Sequence, residues 1–132
     1  MPTIVAFESR HVGGVVSLCE AEGWPSWTAE AVEAAFSAPG VLALVAEDDR
    51  GVVGAAHLLT DGAVIAYLGL LVVAAEARRQ GIGRALIEEL FRRSGLRRID
   101  LLSEDDSTGF YESLPHRSKP GYRLYDDAQS TG

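Results

Sequence analysis

The sequence predicts a mixed α/β fold: a central sheet of about six or seven strands with about four helices, in a single domain over residues 1–132. Three features predict it. A β-rich, apolar meander occupies the middle of the chain. The clearest amphipathic helix, Ile82–Ser94, stands between two strand-like runs. Strands joined through one helix normally pair in parallel with a right-handed crossover. Finally, 132 residues with 47% apolar and 23% charged composition suit one soluble core.

The elements follow in order. Thr3–Phe7 is short and β-rich, a first strand. Ser9–Glu22 places Val12, Val15, Val16 and Cys19 at helical spacing, with Ser9 as N-cap. Gly13 and Gly14 weaken that helix by about 1 kcal/mol each relative to Ala, and Gly23 ends it. Gly23–Trp27 is a loop carrying both tryptophans. A second helix spans Thr28–Ser37, capped by Ser26 or Thr28 and stopped before Pro39.

Val41–Glu47 and Val52–Leu59 read as a hairpin through a four-residue turn, Asp48–Gly51. Thr60-Asp61-Gly62 turns the chain again. Ala63–Val73 is a nearly continuous apolar run, expected as a central strand buried on both faces. Ala74–Gln80 is a loop. Ile82–Ser94 then shows an apolar face of Ile82, Ala85, Leu86, Leu90 and Phe91. Glu88–Arg92 and Glu89–Arg93 form i,i+4 pairs in the favourable order, and Gly95 suits the position just past the helix. Leu96–Ser103 is a strand, Ser107–Leu114 a short helix and Tyr122–Tyr125 a last strand. The tail Asp126–Gly132 is expected to fray.

Composition excludes several classes of function. A net charge of −7 argues against general nucleic-acid binding and favours a cationic small substrate. Cys19 is the only cysteine, so neither an internal disulfide nor a structural zinc site is available. A small buried hydrophobe is the favoured reading of Cys19 over a nucleophile. No metal site is expected. No stretch reaches ~18 apolar residues, the length of a membrane span. MPTIVAFESR has no basic region ahead of an apolar one, so the expected location is cytoplasmic, with no membrane partner.

The chemistry concentrates in Arg78–Leu86, RRQGIGRAL, between an apolar strand and a helix. A helix start leaves about four amides unpaired and carries roughly half a positive charge, which favours an anion. Glycine lets backbone close on that anion. Gln80, Gly81, Ile82, Gly83 and Arg84 would turn their amides into one concavity, with Arg78, Arg79 and Arg84 adding positive charge to an acidic protein. The chain has no GxxxxGK[ST], and the third glycine of a dinucleotide fingerprint is Leu86 here. A helix start with two incidental glycines is the bland alternative.

The run Arg78-Arg79-Gln80-Gly81-Ile82-Gly83 after Leu71-Val72-Val73 resembles motif A, [QR]xxGx[GA], of the GNAT superfamily of N-acetyltransferases. Gly109-Phe110-Tyr111-Glu112-Ser113-Leu114 resembles the family's FYExLGF segment, and the order of elements is similar along nearly the whole chain. The resemblance implies a single acyltransferase domain over residues 1–132, with a mixed sheet splayed near the end of its central strand and acetyl-CoA wedged there. The amides from Arg79 to Arg84 would hold the pyrophosphate. The backbone of Leu71, Val72 and Val73 would pair with the pantetheine arm and the acetyl carbonyl. An amine of a small molecule or protein would attack the thioester, backbone N–H would stabilise the oxyanion, and Tyr111 would protonate the leaving thiolate. The sequence departs from the family at Ala75, where proline is usual. It departs again at Glu104, where asparagine is common, and at Leu114-Pro115-His116, where the turn is lengthened.

The general base stays open among Glu47, His57, Asp61, Tyr67 and Glu104, and base-free transfer is a further option. Trp24 and Trp27 are either a wall for a cationic amine or a cap on the core. The rival class is a non-catalytic coenzyme A-binding sensor or interaction module of the same fold. The resemblance also leaves a homodimer open.

Overall fold

The computed structural model describes residues 1–126, so all but the first residue of the Asp126–Gly132 tail lies outside the described residues. The chain forms two compact units, Met1–Leu101 and a second beginning at Leu102.

The first unit holds a four-stranded sheet in the order β1-β2-β3-β4: β1 (Thr3–Ala6), β2 (Val41–Asp48), β3 (Gly51–Thr60) and β4 (Ala66–Val73). All three strand pairings are antiparallel. The expected six or seven strands are therefore four among the described residues. Two of the expected strands are absent for separate causes. Of Leu96–Ser103, Asp100 alone pairs with β4 among the described residues, through a single bridge to Tyr67 in the expected parallel sense. The Leu68 N–H donates to the Asp100 carbonyl at 2.9 Å, and the Asp100 N–H to the Ala66 carbonyl at 3.0 Å. Tyr122–Tyr125 is exposed and forms no strand.

The β2–β3 turn is tighter than expected. Asp48 pairs with Gly51, leaving Asp49-Arg50 as a two-residue loop. The Asp48 carboxylate accepts from the Arg50 backbone N–H at 2.8 Å and from its guanidinium at 2.7 Å. β4 begins three residues later than expected. Ala63, Val64 and Ile65 instead donate their N–H groups to Asp61 Oδ1 at 2.8, 2.8 and 3.0 Å. That fan of amides closes the turn and pulls the three residues out of the strand.

Burial corrects a second expectation. The middle of β2, Ala43–Ala46, and of β3, Val53–Leu58, is buried on both faces. β4 alternates, with Ala66, Leu68, Leu70 and Val72 buried and Tyr67 and Gly69 exposed. Helices supply the cover. Gly54 faces Ile82 and Leu86, since a Cβ there would lie 3.1 and 3.2 Å from their side chains. From the opposite face of the same strand, His57 meets Phe36, ring centroids 5.3 Å apart.

The helices are α1 (Val12–Ala21), α2 (Ala29–Phe36) and α3 (Ile82–Ser94). A 3-10 turn, Ser9–His11, precedes α1. Its cap is Glu8 rather than Ser9: the Glu8 N–H donates to His11 Nδ1 at 2.9 Å, and the His11 N–H to the Glu8 carbonyl at 2.8 Å. Gly14 explains a glycine in α1, since a Cβ there would stand 2.7 Å from Val52. The close approach to β3 offsets the propensity cost. Thr28 proves to be the cap of α2, its Oγ1 accepting from the Ala31 N–H at 3.1 Å. In α3, Glu89 takes both arginines, Arg92 at 2.6 Å and Arg93 at 3.0 Å, where two separate pairs were expected. Those guanidiniums hold its carboxyl down at about 2. Cys19 is buried, and burial pushes its thiol up to about 11, as fits a small hydrophobe. Among the described residues, no helix is long and apolar enough to cross a membrane.

The second unit carries a 3-10 turn, Asp105–Ser107, followed by α4 (Thr108–Glu112), shorter than the expected Ser107–Leu114. Phe110 and Tyr111 meet edge to face, centroids 5.0 Å apart.

Thr28→Ala removes the acceptor for an otherwise orphaned amide of α2. We expect a loss of about 1 kcal/mol, seen in a urea melt as a lower midpoint with an unchanged slope.

Candidate functional site

The site begins with the backbone of β4. In its first half the backbone groups of Ala66 and Leu68 turn to the outer edge, where Asp100 bonds the Ala66 C=O and the Leu68 N–H. In its second half the Ala74 N–H donates inward, to the Val53 carbonyl at 2.8 Å. Backbone direction alternates along a strand. Ala74 and Val72 therefore face β3, while Leu71 and Val73 face out. Even-numbered residues face out in the first half and odd-numbered ones in the second.

An extra residue causes the reversal. His57 pairs with Leu70 and Leu58 with Leu68, so Gly69 is left over as a bulge. Beyond it the outer edge of β4 carries no ladder among the described residues. The polar groups of Leu71 and Val73 point off the sheet, and Val73 is only half-buried. An edge of this kind accepts an extended ligand as it would a strand.

The second part is the loop from β4 to α3. A 3-10 turn, Ala75–Ala77, carries the chain off the strand. Arg79 (φ 65°) and Gly81 (φ 82°) both occupy the left-handed region. That costs little at Gly81 and is uncommon at Arg79. The Ala85 N–H is bonded one turn back to the Gly81 carbonyl at 2.9 Å. The amides of Ile82 and Gly83 precede it and lie in the orphaned first turn. Gly81 is exposed, and a Cβ there would meet nothing within 4 Å. Gly81 thus offers open backbone with a helix dipole behind it, which fits an anion such as a pyrophosphate.

Arg78 has a different part. Its Nε donates to the Val73 carbonyl at 3.2 Å, and its guanidinium pairs with Glu22 just past α1. It braces the loop against the strand end. The side chains of Arg79, Gln80 and Arg84 are exposed on the loop and the first turn of α3.

The sequence matches the profile of the acetyltransferase (GNAT) domain over residues 39–114, which spans β2 to the end of the FYE segment. The chain belongs to the GNAT acetyltransferase family. No curated protein matches it. Among solved structures it is similar to a GNAT family acetyltransferase from Streptococcus pneumoniae, at 28% identity and a TM-score of 0.78, covering 96% of this chain and 99% of that one. It also shares its fold with the ribosomal-protein-S18-alanine N-acetyltransferase of Escherichia coli (22%, TM-score 0.74, 87% and 77% covered). An aminoglycoside acetyltransferase from an uncultured soil sample is a third such structure (19%, TM-score 0.73, 95% and 97% covered).

Of the candidate bases in this GNAT chain, two carboxylates are committed elsewhere. Arg10 pairs with Glu47 at 3.2 Å and holds its carboxyl below the usual range, with His11 Nε2 at 3.3 Å. Asp61 is lowered by the three amides of its turn. Tyr67 is exposed on the outward face of β4. Glu104 caps the 3-10 turn of the second unit.

His57 differs from these. It is only 8% exposed, and among the described residues its Nδ1 has no hydrogen-bond partner. Burial lowers its pKa, with the Ala35 backbone partly opposing. Trp27 packs on it at 6.0 Å and edge-on against Phe36 at 6.0 Å, which favours the core-capping reading of that tryptophan. Tyr111 lies on α4 of the second unit, half-buried, and burial pushes its hydroxyl up to about 12.

Sequence reasoning missed Gly69. Its signal was a lone glycine inside an apolar strand pattern, which marks a bulge or a close approach. Both apply, because a Cβ at Gly69 would stand 2.6 Å from His57 Nδ1.

The lowered pKa of His57 has a sign in stability. Below its ordinary value of 6.5 the unfolded chain takes up the proton first, so the fold loses stability as pH falls. His57→Gln removes that slope. Thermal melts across this range should show the gap between wild type and variant narrowing toward acid pH.

Proposed function

We propose that this protein transfers an acetyl group from acetyl-CoA to a primary amine of a small molecule or protein. The observation that carries the reading is the pairing of two backbone features at the end of β4. The reversed edge at Leu71 and Val73 suits the amides of a pantetheine arm. The left-handed turn at Arg79 and Gly81 leads into the first-turn amides of Ile82 and Gly83, suited to a pyrophosphate.

In this reading the first turn of α3 binds the phosphates, and Arg79 and Arg84 add charge around them. The pantetheine arm lies along the β4 edge, so the thioester reaches the bulge. An outward N–H there stabilises the oxyanion that forms when the amine attacks. The FYE resemblance assigns Tyr111 to the leaving sulfur. With its hydroxyl near 12 and a thiol near about 8.5, Tyr111 keeps its proton and stabilises the thiolate by a hydrogen bond, and solvent completes the protonation. The net charge of −7 favours a cationic acceptor. The relatives that act on a ribosomal-protein alanine and on aminoglycosides suggest the first acceptors to try.

Calorimetric titration with acetyl-CoA tests the donor. Wild type should bind in roughly the micromolar range, about −8 kcal/mol. Gly83→Glu puts a carboxylate among the phosphate-binding amides and should abolish binding while circular dichroism stays unchanged. No binding by wild type refutes the reading.

Thiol release with a panel of amines tests the transfer. The panel is an alanine-initiated peptide, kanamycin and spermidine. Tyr111→Phe should lower turnover by about 10- to 100-fold, within the range of a lost general acid or oxyanion donor, with acetyl-CoA affinity kept. Binding without release by any amine would favour the coenzyme A sensor.

A further inference from the structure

Three exposed side chains stand in one row across the sheet. Leu59 pairs with Tyr67 between β3 and β4, and Tyr67 pairs with Asp100 through the parallel bridge. Residues in register on neighbouring strands project to the same face of a sheet. Leu59, Tyr67 and Asp100 therefore lie side by side, with backbones about 5 Å apart. Leu59 is two residues beyond His57 on β3, so the row shares the face on which His57 meets Trp27 and Phe36.

The cover on that face stops short of the row. Leu59 is 50% exposed and Tyr67 36%. Asp100 is exposed, and only its backbone is tied to β4. Glu22, Glu47, Asp48 and Glu89 all pair with arginines. Among the described residues the Asp100 carboxylate forms no ion pair or hydrogen bond, and Arg97 and Arg98 just before it do not reach it. An open tyrosine ring beside an unpaired carboxylate suits an ammonium group, which the ring face and the anion both attract. Gly69, exposed on the bulge, follows Tyr67 by two residues, and the intervening Leu68 is buried on the other face.

We propose that Tyr67 and Asp100 hold a second ammonium group of the acceptor, so that the preferred substrate is an aliphatic diamine or polyamine. The assignment rests on the acetyl transfer proposed above, in which the thioester reaches the bulge. The reacting nitrogen stands over the exposed backbone of Gly69 and the hydrocarbon chain runs along β4 to the ring. Two strand residues set the separation of the two nitrogens at about 7 Å, the span of about four or five methylenes. A net charge of −7 draws a dication more strongly than a monocation.

The test measures thiol release with 1,5-diaminopentane, pentylamine and 1,2-diaminoethane, beside acetyl-CoA titration of each variant. Wild type should favour 1,5-diaminopentane over pentylamine in kcat/KM by about 10-fold. The two-carbon diamine is too short to reach the row and should be no better than pentylamine. Asp100→Asn keeps the backbone bonds to β4 and should lower kcat/KM for 1,5-diaminopentane by about 10-fold, with a far smaller effect on pentylamine and acetyl-CoA affinity kept. Tyr67→Leu should act in the same direction, whereas Tyr67→Phe should retain the preference because the ring face remains. Should Tyr67→Leu fail to fold by circular dichroism, Asp100→Asn and Tyr67→Phe decide. If wild type favours 1,5-diaminopentane over pentylamine by less than about threefold, or Asp100→Asn keeps the preference, the assignment is wrong and the transferase reading stands. If wild type binds no acetyl-CoA, or binds it and acetylates no amine, both fall.

Discussion

The residue left over at Gly69 decides what the outer edge of β4 presents. Before it, Ala66 and Leu68 turn outward and are bonded by Asp100. After it, Leu71 and Val73 turn outward, with no ladder beside them among the described residues. A regular strand of the same length would have kept one parity throughout. Either the whole edge would have been available to the following segment, or none of it. The bulge divides the edge into a half that closes the sheet and a half open to a ligand. Arg78 Nε already serves the Val73 carbonyl, so what this half offers an extended polar partner is the outward backbone of Leu71 and the Val73 N–H.

The same strand end fixes the glycine loop. Ala74 is tied inward to Val53, and Arg78 reaches back to Val73 while gripping Glu22. Between those anchors and α3 the chain must reverse within a few residues, which Arg79 and Gly81 do in left-handed conformations. Helix α3 is held by Ile82 and Leu86 against Gly54. Its first turn is therefore set by core packing, so the amides are oriented before any anion arrives. That is preorganisation, in which the ordering cost is met in folding rather than in binding.

Side-chain commitments sort the ionisable groups near the sheet. Glu47 and Asp61 have strong partners that hold them ionised and weakly basic. Glu89 does the same for two arginines on the far part of α3. His57 is the exception, a buried ring packed under Gly69 with one nitrogen unpaired among the described residues. Buried polar groups in native cores are nearly always satisfied.

Much of this was legible in the sequence. The bounds of α3 were correct because periodicity, the glycine before the helix and Gly95 after it all agreed. The hairpin was readable from local turn chemistry, the α2 cap was narrowed to Ser26 or Thr28, and RRQGIG with FYE carried the family. Local chemistry operates within a few residues, so a linear pattern records it. Strand count, the start of β4 and its one-sided burial were not readable in that way. The apolar run Ala63–Val73 does not show that Asp61 will capture three of its amides, nor that β2 and β3 will be the strands covered on both faces. Register is a property of two strands together, so the bulge at Gly69 and the reversal it causes arise only when β3 and β4 pair. The sequence by itself determined which residues could cradle an anion. The tertiary structure decided which backbone groups are left free beside them, and brought His57 beneath Gly69, because both depend on contacts between segments that are distant along the chain.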